Sequence, residues 1–546
     1  MVSQQTVTRG SDTRPVVLDG QGLLIQDIVR VARRRDTRVT LSANAPRNMR
    51  LSRELLQKLI DTRQPIYGVT TGFGDSANRH IAPEKAAELQ SNIIRYHLNG
   101  TGPEASSDVV RATMLIRANC LARGMSGVTP ELVQRLVDFL NHDVTPMVPE
   151  RGSVGASGDL VPLCYVAAPL IGEGDVRYRG EVRAAGEVLA ETGLGSIDIG
   201  AKDGLALING TSFSAAFAAL AVADAEEIAV LAEAATALAG EALLVNRGHF
   251  AAFLHEQKPH RGQLASAEQI RHLLAGSDLA MEHSQVLELS DPLDSRTFQE
   301  LTRSVQDRYS IRCAPHVIGV LRDTADWARQ LIQVEVNSAT DNPLVDVVGG
   351  TVHSGGNFYG GHVAQAMDAL KTAVANVADL LDRQVELLVD KRFNNGLPGN
   401  LIAPVDPQDW DAGLHHGFKG MQIACSAVTA EALKHTMPAS VFSRSTEAHN
   451  QDKVSMSAIA ARDARTVIAL VQEVLAIQLL TAAQGVDLRG AELMGPRTRT
   501  IHSYLRGIAL PVLADRRMDH DVNGLLERIR SGELAEVVTD SGATVE

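Results

Sequence analysis

The run GSVGASGDLVPL, Gly152 to Leu163, crowds glycine and serine together just before the chain turns apolar at Leu160. Three chemistries fit it. A Ser-Gly pair makes a tight turn, the ordinary reading of so short a pattern. A phosphate cradle needs G-x-x-x-x-G-K-[ST] after a strand, and no lysine follows here. The third is chemistry on the backbone itself. The Gly158 amide nitrogen attacks the Ala156 carbonyl, a ring closes, and Ser157 then loses water. That route needs small neighbours, because flanking β-carbons would block the approach, and a strained loop held by its surroundings. Its product is an electrophilic methylidene-imidazolone ring built from Ala156-Ser157-Gly158 alone.

Other chemistry-bearing groups point to less. His415 and His416 are adjacent and so cannot share a helix face, and no H-E-x-x-H occurs, which argues against a metal enzyme. The glycine-rich GGTVHSGGNFYGG (Gly349–Gly361) lacks the strand–loop–helix fingerprint of a nucleotide site. Cys120, Cys164, Cys313 and Cys425 form no C-x-x-C pair, so neither a disulfide framework nor a zinc knuckle is expected, and a reducing, cytoplasmic setting fits.

The elements that must position such a loop follow from composition and periodicity. The chain has 546 residues, 45% hydrophobic and 21% charged, as in a soluble globular protein, and is too long for one ordinary core. Only 4% are aromatic and alanine is abundant, which favours close-packed helices over a β-sandwich. The net charge of −13, with no long basic run, argues against a nucleic-acid partner; the Arg30-Arg33-Arg34-Arg35 cluster reads as a solvated helix face. The opening MVSQQTVTRGSDTRP reads as a loose tail, and no uninterrupted apolar run is long enough to span a bilayer.

Val16-Val17-Leu18 and Val39-Thr40-Leu41 read as short strands, Ser52 to Ile60 and Pro83 to Ile94 as helices, and Gly172–Glu181 as turn–strand–turn. After about Leu205 long helices take over. Val363, Met367, Leu370, Val374, Val377, Leu381 and Leu388 share one helix face, as do Leu321, Ala325, Ala328 and Ile332, with Asn342-Pro343 expected to stop the latter helix. A further periodic stretch runs from Ile459 to Ala483. The expected architecture is mainly α: a tail over residues 1–18, a mixed N-terminal domain over 19–205 carrying the Ala-Ser-Gly loop, and a long helical bundle over 206–546.

Several motifs stand in one order along nearly the whole chain. They are YGVTTGFG (Tyr67–Gly74), GSVGASGDLVPL, LINGTS (Leu207–Ser212), QDRYSIRCAPHVIG (Gln306–Gly319), NSATDNPL (Asn337–Leu344), HSGGNFYG (His353–Gly360), GFKGMQ (Gly417–Gln422) and HNQDKVS (His449–Ser455). Each is weak alone. Together they resemble the aromatic amino acid ammonia-lyase and 2,3-aminomutase family, which includes histidine ammonia-lyase. The departures are Val161, where the family more often has a small polar residue, Lys453, where an apolar one is usual, and Ser457, where glycine is common.

The resemblance implies a carbon–nitrogen lyase whose only cofactor is the ring formed from Ala156, Ser157 and Gly158. It places Tyr67 as the base that takes the β-proton, a phenol whose ordinary pKa near ~10 must then be lowered; the plain alternative is a packed aromatic beside a turn. It places Arg312 on the substrate carboxylate, which suits a planar fork; the alternative is a surface salt bridge. Gln306, Tyr309 and Asn342 would orient substrate and ring, and Asn209 would polarise the ring or meet the amine. Gln451 matches an active-site amide, and Phe358 an aromatic beside ring or substrate, or plain core. The resemblance further implies a helical homotetramer whose active sites draw on three subunits.

Substrate choice in the family lies partly at Tyr96-His97. His97 can hydrogen-bond a phenol or an imidazole, or be structural. Lys419 resembles the phenylalanine type, and Glu431 matches a carboxylate found in histidine, phenylalanine and tyrosine members alike. The expectation is deamination of phenylalanine or tyrosine to the trans-arylacrylate, with an aromatic 2,3-aminomutase and a histidine ammonia-lyase as alternatives. A fumarase-type helical lyase would not need Ala-Ser-Gly, and an inactive scaffold would not need Tyr67 and Arg312.

Overall fold

The computed structural model describes residues 14–543. Near the N-terminus β1 (Val16–Leu18) pairs in parallel with β2 (Val39–Leu41), Val16 opposite Val39. Val16 and Leu18 are buried and Val17 is exposed, the alternation a one-faced strand requires. The tail boundary set at residue 18 is thereby corrected: residues 16–18 are core strand, and residues 1–13 lie outside the described residues.

Helix α1 (Ala45–Asp61) contains the expected Ser52–Ile60 segment and starts with Pro46 in its first turn, where a missing N–H costs nothing. The Pro83 segment opens as a 3₁₀ turn and continues as α2 (Ala86–Tyr96). Helix α3 (Ser107–Ala122) is buried from Val109 to its end, Arg111 and Arg117 included. Strands β3 (Asp175–Tyr178) and β4 (Glu181–Ala184) form a tight hairpin. Its turn residues Arg179 and Gly180 both have positive φ, as a two-residue turn matched to strand twist demands.

A short helix, α4 (Asp203–Ile208), leads into the bundle: α5 (Ser212–Ala242), α6 (Ala314–Glu335), α7 (Gly361–Val389), α8 (Lys419–Lys434) and α9 (Ser457–Arg489). The seven apolar residues that mark one face of α7 are all fully buried. So are Leu321, Ala325, Ala328 and Ile332 of α6. Each large apolar side chain so buried contributes roughly 1.5–3 kcal/mol. Alanine along α5 lets α7 and α9 pack closely against it, and its acidic residues are paired: Asp224 with Arg33 at 2.7 Å and Glu226 with Arg329.

One expectation is corrected here. Helix α6 ends at Glu335, seven residues before Asn342-Pro343. A side chain just past the helix ties that end to a distant segment: Asn337 accepts from the Leu23 N–H and donates to the Leu23 and Gln333 carbonyls. Also, α9 is long and apolar enough to cross a bilayer, the one such helix among the described residues, and 78% of its apolar window is buried within the protein. One apolar core runs from Val16 to Val538, so the change of texture near residue 205 marks a change of element type within it. The four cysteines are free.

Candidate active site

The ring-forming loop is pinned to the turn that joins α4 to α5. The Gly210 N–H donates to the Ser157 carbonyl at 3.1 Å and the Asp159 N–H to the Gly210 carbonyl at 2.7 Å, so residues 158 and 210 pair like a single rung of parallel sheet. Gly158 has φ +72°, and a β-carbon there would lie 2.1 Å from the Gly210 carbonyl oxygen; no other residue fits. The Asn209 side chain donates to the same Ser157 carbonyl at 3.0 Å. Two donors thus converge on one oxygen. Gln451 Nε2 reaches the Ser157 hydroxyl at 3.4 Å, while its own Oε1 accepts from Thr446.

Three long helices start at this loop. Ser212 opens α5 beside Gly210, the Ser455 hydroxyl next to the start of α9 donates to the Gly155 carbonyl at 3.3 Å, and Gly360 before α7 touches Ser457 and Thr211. Their N-terminal dipole ends give the site a positive bias. Two buried acids sit against it. Asp159 accepts from the Ser214 N–H at 2.8 Å, and burial pushes its carboxyl up to about 6 against the pull of that N–H and of the Ser214 and Ser153 hydroxyls. Glu335, at the end of α6, accepts from Thr211 Oγ1 and is also raised by burial.

The Tyr67 loop closes one side. The Tyr67 hydroxyl accepts from the Gly74 N–H at 3.1 Å. Gln90 of α2 donates to the Gly68 carbonyl and accepts from the Leu205 N–H, tying this loop to α4. Burial raises the Tyr67 phenol, the Gly74 N–H opposes, and the Glu447 charge raises it further. Glu447 in turn accepts from the Asp75 N–H at 2.9 Å, linking the Tyr67 loop to the segment that carries Gln451. Tyr96 ends α2 and stacks on His97, ring centroids 4.4 Å apart. Although 55% of Tyr96 is exposed, desolvation around its hydroxyl, then Cys164, Tyr67 and Glu447, push that phenol up to about 12. His97 Nδ1 meets the Ile93 carbonyl at 2.8 Å, and burial lowers its pKa.

Asn342 and Phe358 border the same region. Asn342 is buried and its Oδ1 accepts from the Gly355 N–H at 2.8 Å. Phe358 is half-buried in the loop that ends at Gly360. The departures from family pattern are accommodated: Val161 fills the space over Gly100 and Gly152, and the Ser457 hydroxyl bonds to Ser455. Lys453 is exposed.

The remaining expected residues lie elsewhere in this chain. Tyr309 and Arg312 immediately precede α6, whose other end holds Thr211, and a helix of that length separates its ends by roughly 30 Å. Tyr309 is 70% exposed, with the Arg312 guanidinium over its ring at 4.5 Å. Gln306 is exposed nearby. Gln384, near the end of α7, donates to the Ser310 carbonyl, and Asp382 accepts from Ser426 of α8. Lys419 opens α8 at this same far end, and exposed Glu431 lies about three turns along it.

With this geometry in view, comparison with known proteins is direct. The family model for aromatic amino acid lyases matches residues 23–507. This chain belongs to the aromatic amino acid lyase family. A histidine ammonia-lyase of Caldanaerobacter subterraneus subsp. tengcongensis is 38% identical over 536 residues, 98% of this chain and 100% of that protein. The MIO-dependent tyrosine 2,3-aminomutase of Streptomyces globisporus is 38% identical over 529 residues, 96% of each chain. The crystal structure of the tyrosine aminomutase from that organism superposes with a TM-score of 0.91, covering 97% of this chain and 99% of that one at 36% identity. Family members are carbon–nitrogen lyases and aminomutases that depend on the methylidene-imidazolone group, and this chain carries the Ala-Ser-Gly from which it forms. The residues fit that group: a loop only glycine can make at 158, and two donors on the carbonyl the ring retains. Among the described residues no set of three His, Cys, Asp or Glu is grouped to hold a metal.

Reading the sequence missed Glu447, Asp159, Glu335 and Arg117. Asp159 lies inside the quoted run Gly152–Leu163 and Glu447 two residues before His449, and a place in or beside those motifs was their only signal.

Proposed function

We propose that this enzyme deaminates an aromatic L-amino acid, phenylalanine or tyrosine with tyrosine preferred, to the trans-arylacrylate and ammonia. The observation that carries the reading is the Ser157 carbonyl held between the Asn209 side chain and the Gly210 N–H, in a site that the Tyr67 loop closes on one side. The methylidene-imidazolone supplies an electrophile that engages the amine and makes it a better leaving group. Asn209 and Gly210 polarise the carbonyl of residue 157. Tyr67 takes the β-proton. Its phenol is raised in the isolated chain, so cationic groups from another copy have to bring it down. Arg312 is such a group, and it also grips the substrate carboxylate. Asn342, Gln306, Tyr309 and Gln451 orient the substrate, Phe358 packs against it, and Glu447 meets the ammonium.

His97 favours tyrosine. Its Nδ1 faces the Ile93 carbonyl and burial keeps the ring neutral, so the proton sits on Nδ1 and Nε2 is an acceptor. Tyrosine offers a donor to it; phenylalanine does not. Tyr96 lines the same side, and Lys419 and Glu431 come from a neighbour.

The same geometry supports reading the enzyme as a homotetramer with shared sites. Gln306, Tyr309 and Arg312 stand roughly 30 Å from the Ser157 end of their own chain. Helix α6 between them bears an exposed stripe, Val320, Trp327 and Val334, at seven-residue spacing, suited to packing against another copy. The free cysteines suit a cytoplasmic setting.

The test is a product panel: purified enzyme with tyrosine, phenylalanine and histidine separately, products separated and weighed. A product from tyrosine lighter by one ammonia is expected. Urocanate alone would overturn the substrate reading. A second reading, an aromatic 2,3-aminomutase, is favoured by the likeness to the Streptomyces enzyme; an isomer of unchanged mass would establish it.

A further inference from the structure

Arg117 lies in the middle of α3 and is completely buried. Among the described residues its guanidinium makes no ion pair with a carboxylate; backbone carbonyls surround it instead. Nε donates to the Ala206 carbonyl at 2.8 Å, and Nη2 donates to it as well. Nη2 also donates to the Asn209 carbonyl at 2.9 Å, and Nη1 to the Thr340 carbonyl at 3.1 Å. A weak contact to Cys120 Sγ at 3.6 Å completes the set. Its charge acts on Lys202, which is itself bound to Asp341 at 2.7 Å.

The choice of carbonyls matters. Ala206 and Asn209 belong to the last turn and C-cap of α4, where carbonyls lose their helical partners. In a continuing helix the Ala206 carbonyl would accept from the N–H four residues on, that of Gly210. Here Arg117 occupies that carbonyl, and the Gly210 N–H points to Ser157 instead. Gly210 has φ +153°, and a β-carbon on it would lie 2.1 Å from the Thr340 carbonyl oxygen and 2.3 Å from Arg117 Nη1. The clamp and the glycine fit each other.

We propose that Arg117 is the positioning residue of the electrophile: by capping α4 it ends the helix at Asn209 and turns both the Gly210 N–H and the Asn209 side chain onto the Ser157 carbonyl. Arginine is required because one planar fork must reach carbonyls of residues 206, 209 and 340 together. Lysine, a point donor on a single stem, cannot span all three. The inference rests on the electrophile proposed above, so its test reads the electrophile without substrate.

The experiment compares wild type, Arg117→Lys and Gly210→Ala by intact mass and by uptake of 2-mercaptoethanol. Cyclisation and serine dehydration together remove two waters. The thiol S–H then adds across the exocyclic double bond, sulfur to the methylidene carbon and the proton to the ring, so the mass rises by one thiol. Wild type is expected to lack two waters and take up the thiol; if it does neither, the electrophile itself is absent and the functional reading fails. Arg117→Lys, folded by circular dichroism, is expected to take up the thiol roughly 100-fold more slowly, the scale of losing one preorganised donor, or to retain its waters. A folded Arg117→Lys with the full mass loss and the wild-type uptake rate overturns the proposal. If Arg117→Lys does not fold, Gly210→Ala disturbs the same alignment from the other side, and wild-type uptake there overturns it equally.

Discussion

At the N-terminal ends of α5, α7 and α9 the polar side chains find partners within the chain: Asn209 donates to the Ser157 carbonyl and Gln451 to the Ser157 hydroxyl, while Tyr67 accepts from the Gly74 N–H and Asn342 from the Gly355 N–H. At the opposite end of the bundle Tyr309, Gln306 and Lys419 are exposed, and Arg312 Nε is buried with no partner among the described residues. Both regions are built of residues that the family pattern assigns to one site. A region that a chain completes by itself satisfies its own hydrogen bonds. A region left bare, with an aromatic 70% exposed beside an arginine, is shaped for something outside the chain. On the proposed function the site is split along a rigid helix, with α6 as the spacer that keeps the halves apart in one chain and, through its exposed stripe, as the surface proposed to meet another copy.

The largest effect is expected from complementation. Ser157→Ala removes the hydroxyl whose loss completes the electrophile, and Arg312→Ala removes the carboxylate grip; each alone is expected to reduce activity to background. Co-expressed in mixed oligomers, the two chains should recover activity, because some sites pair an intact Ser157 half with an intact Arg312 half. Silence in verified mixed oligomers would mean that both halves act within one chain, against the separation along α6.

Within the first half, Tyr67→Phe isolates proton removal from ring formation. The expected loss in kcat is about 10²–10⁴-fold, with the mass deficit of two waters unchanged, since the Tyr67 hydroxyl bonds to the Gly74 N–H and not to the ring-forming residues. A ring that fails to form in this variant would recast the phenol as part of maturation. Within the second half, Arg312→Lys keeps the charge and loses the fork. A charge-assisted hydrogen bond is worth roughly 1.5–3 kcal/mol, so KM should rise about 10–100-fold with kcat less affected; steady-state kinetics on the tyrosine product decides.

These halves were unequally legible. The α7 face was readable because seven apolar residues repeat at helical steps and all are buried. The stop of α6 was misplaced because Asn337 caps it through Leu23, more than three hundred residues away in sequence. Ala156-Ser157-Gly158 announces its chemistry through residue types alone. Arg117 does not: it looks like any arginine in a helix, and its meaning depends on where α4 happens to end. Least legible was distance. Motifs in order along a chain carry no sign that two of them sit roughly 30 Å apart.

Glu447→Gln carries the smallest expected effect and probes how the first half is tuned before the second arrives. The Glu447 carboxylate accepts from the Asp75 N–H and its charge acts on both Tyr67 and Tyr96. That charge disfavours the phenolate, so it raises the Tyr67 pKa, in the same direction as burial and against the Gly74 N–H. Glutamine can still accept from Asp75 but carries no charge. The Tyr67 pKa should therefore fall, the base form should persist to lower pH, and the acidic limb of the kcat/KM profile should move down the pH scale. The plateau should drop modestly as the ammonium loses its counter-charge. An acidic limb that stays in place while the plateau falls would mean that the limb belongs to another group, with Asp159, pushed up to about 6 by burial beside the ring-forming loop, the first to test.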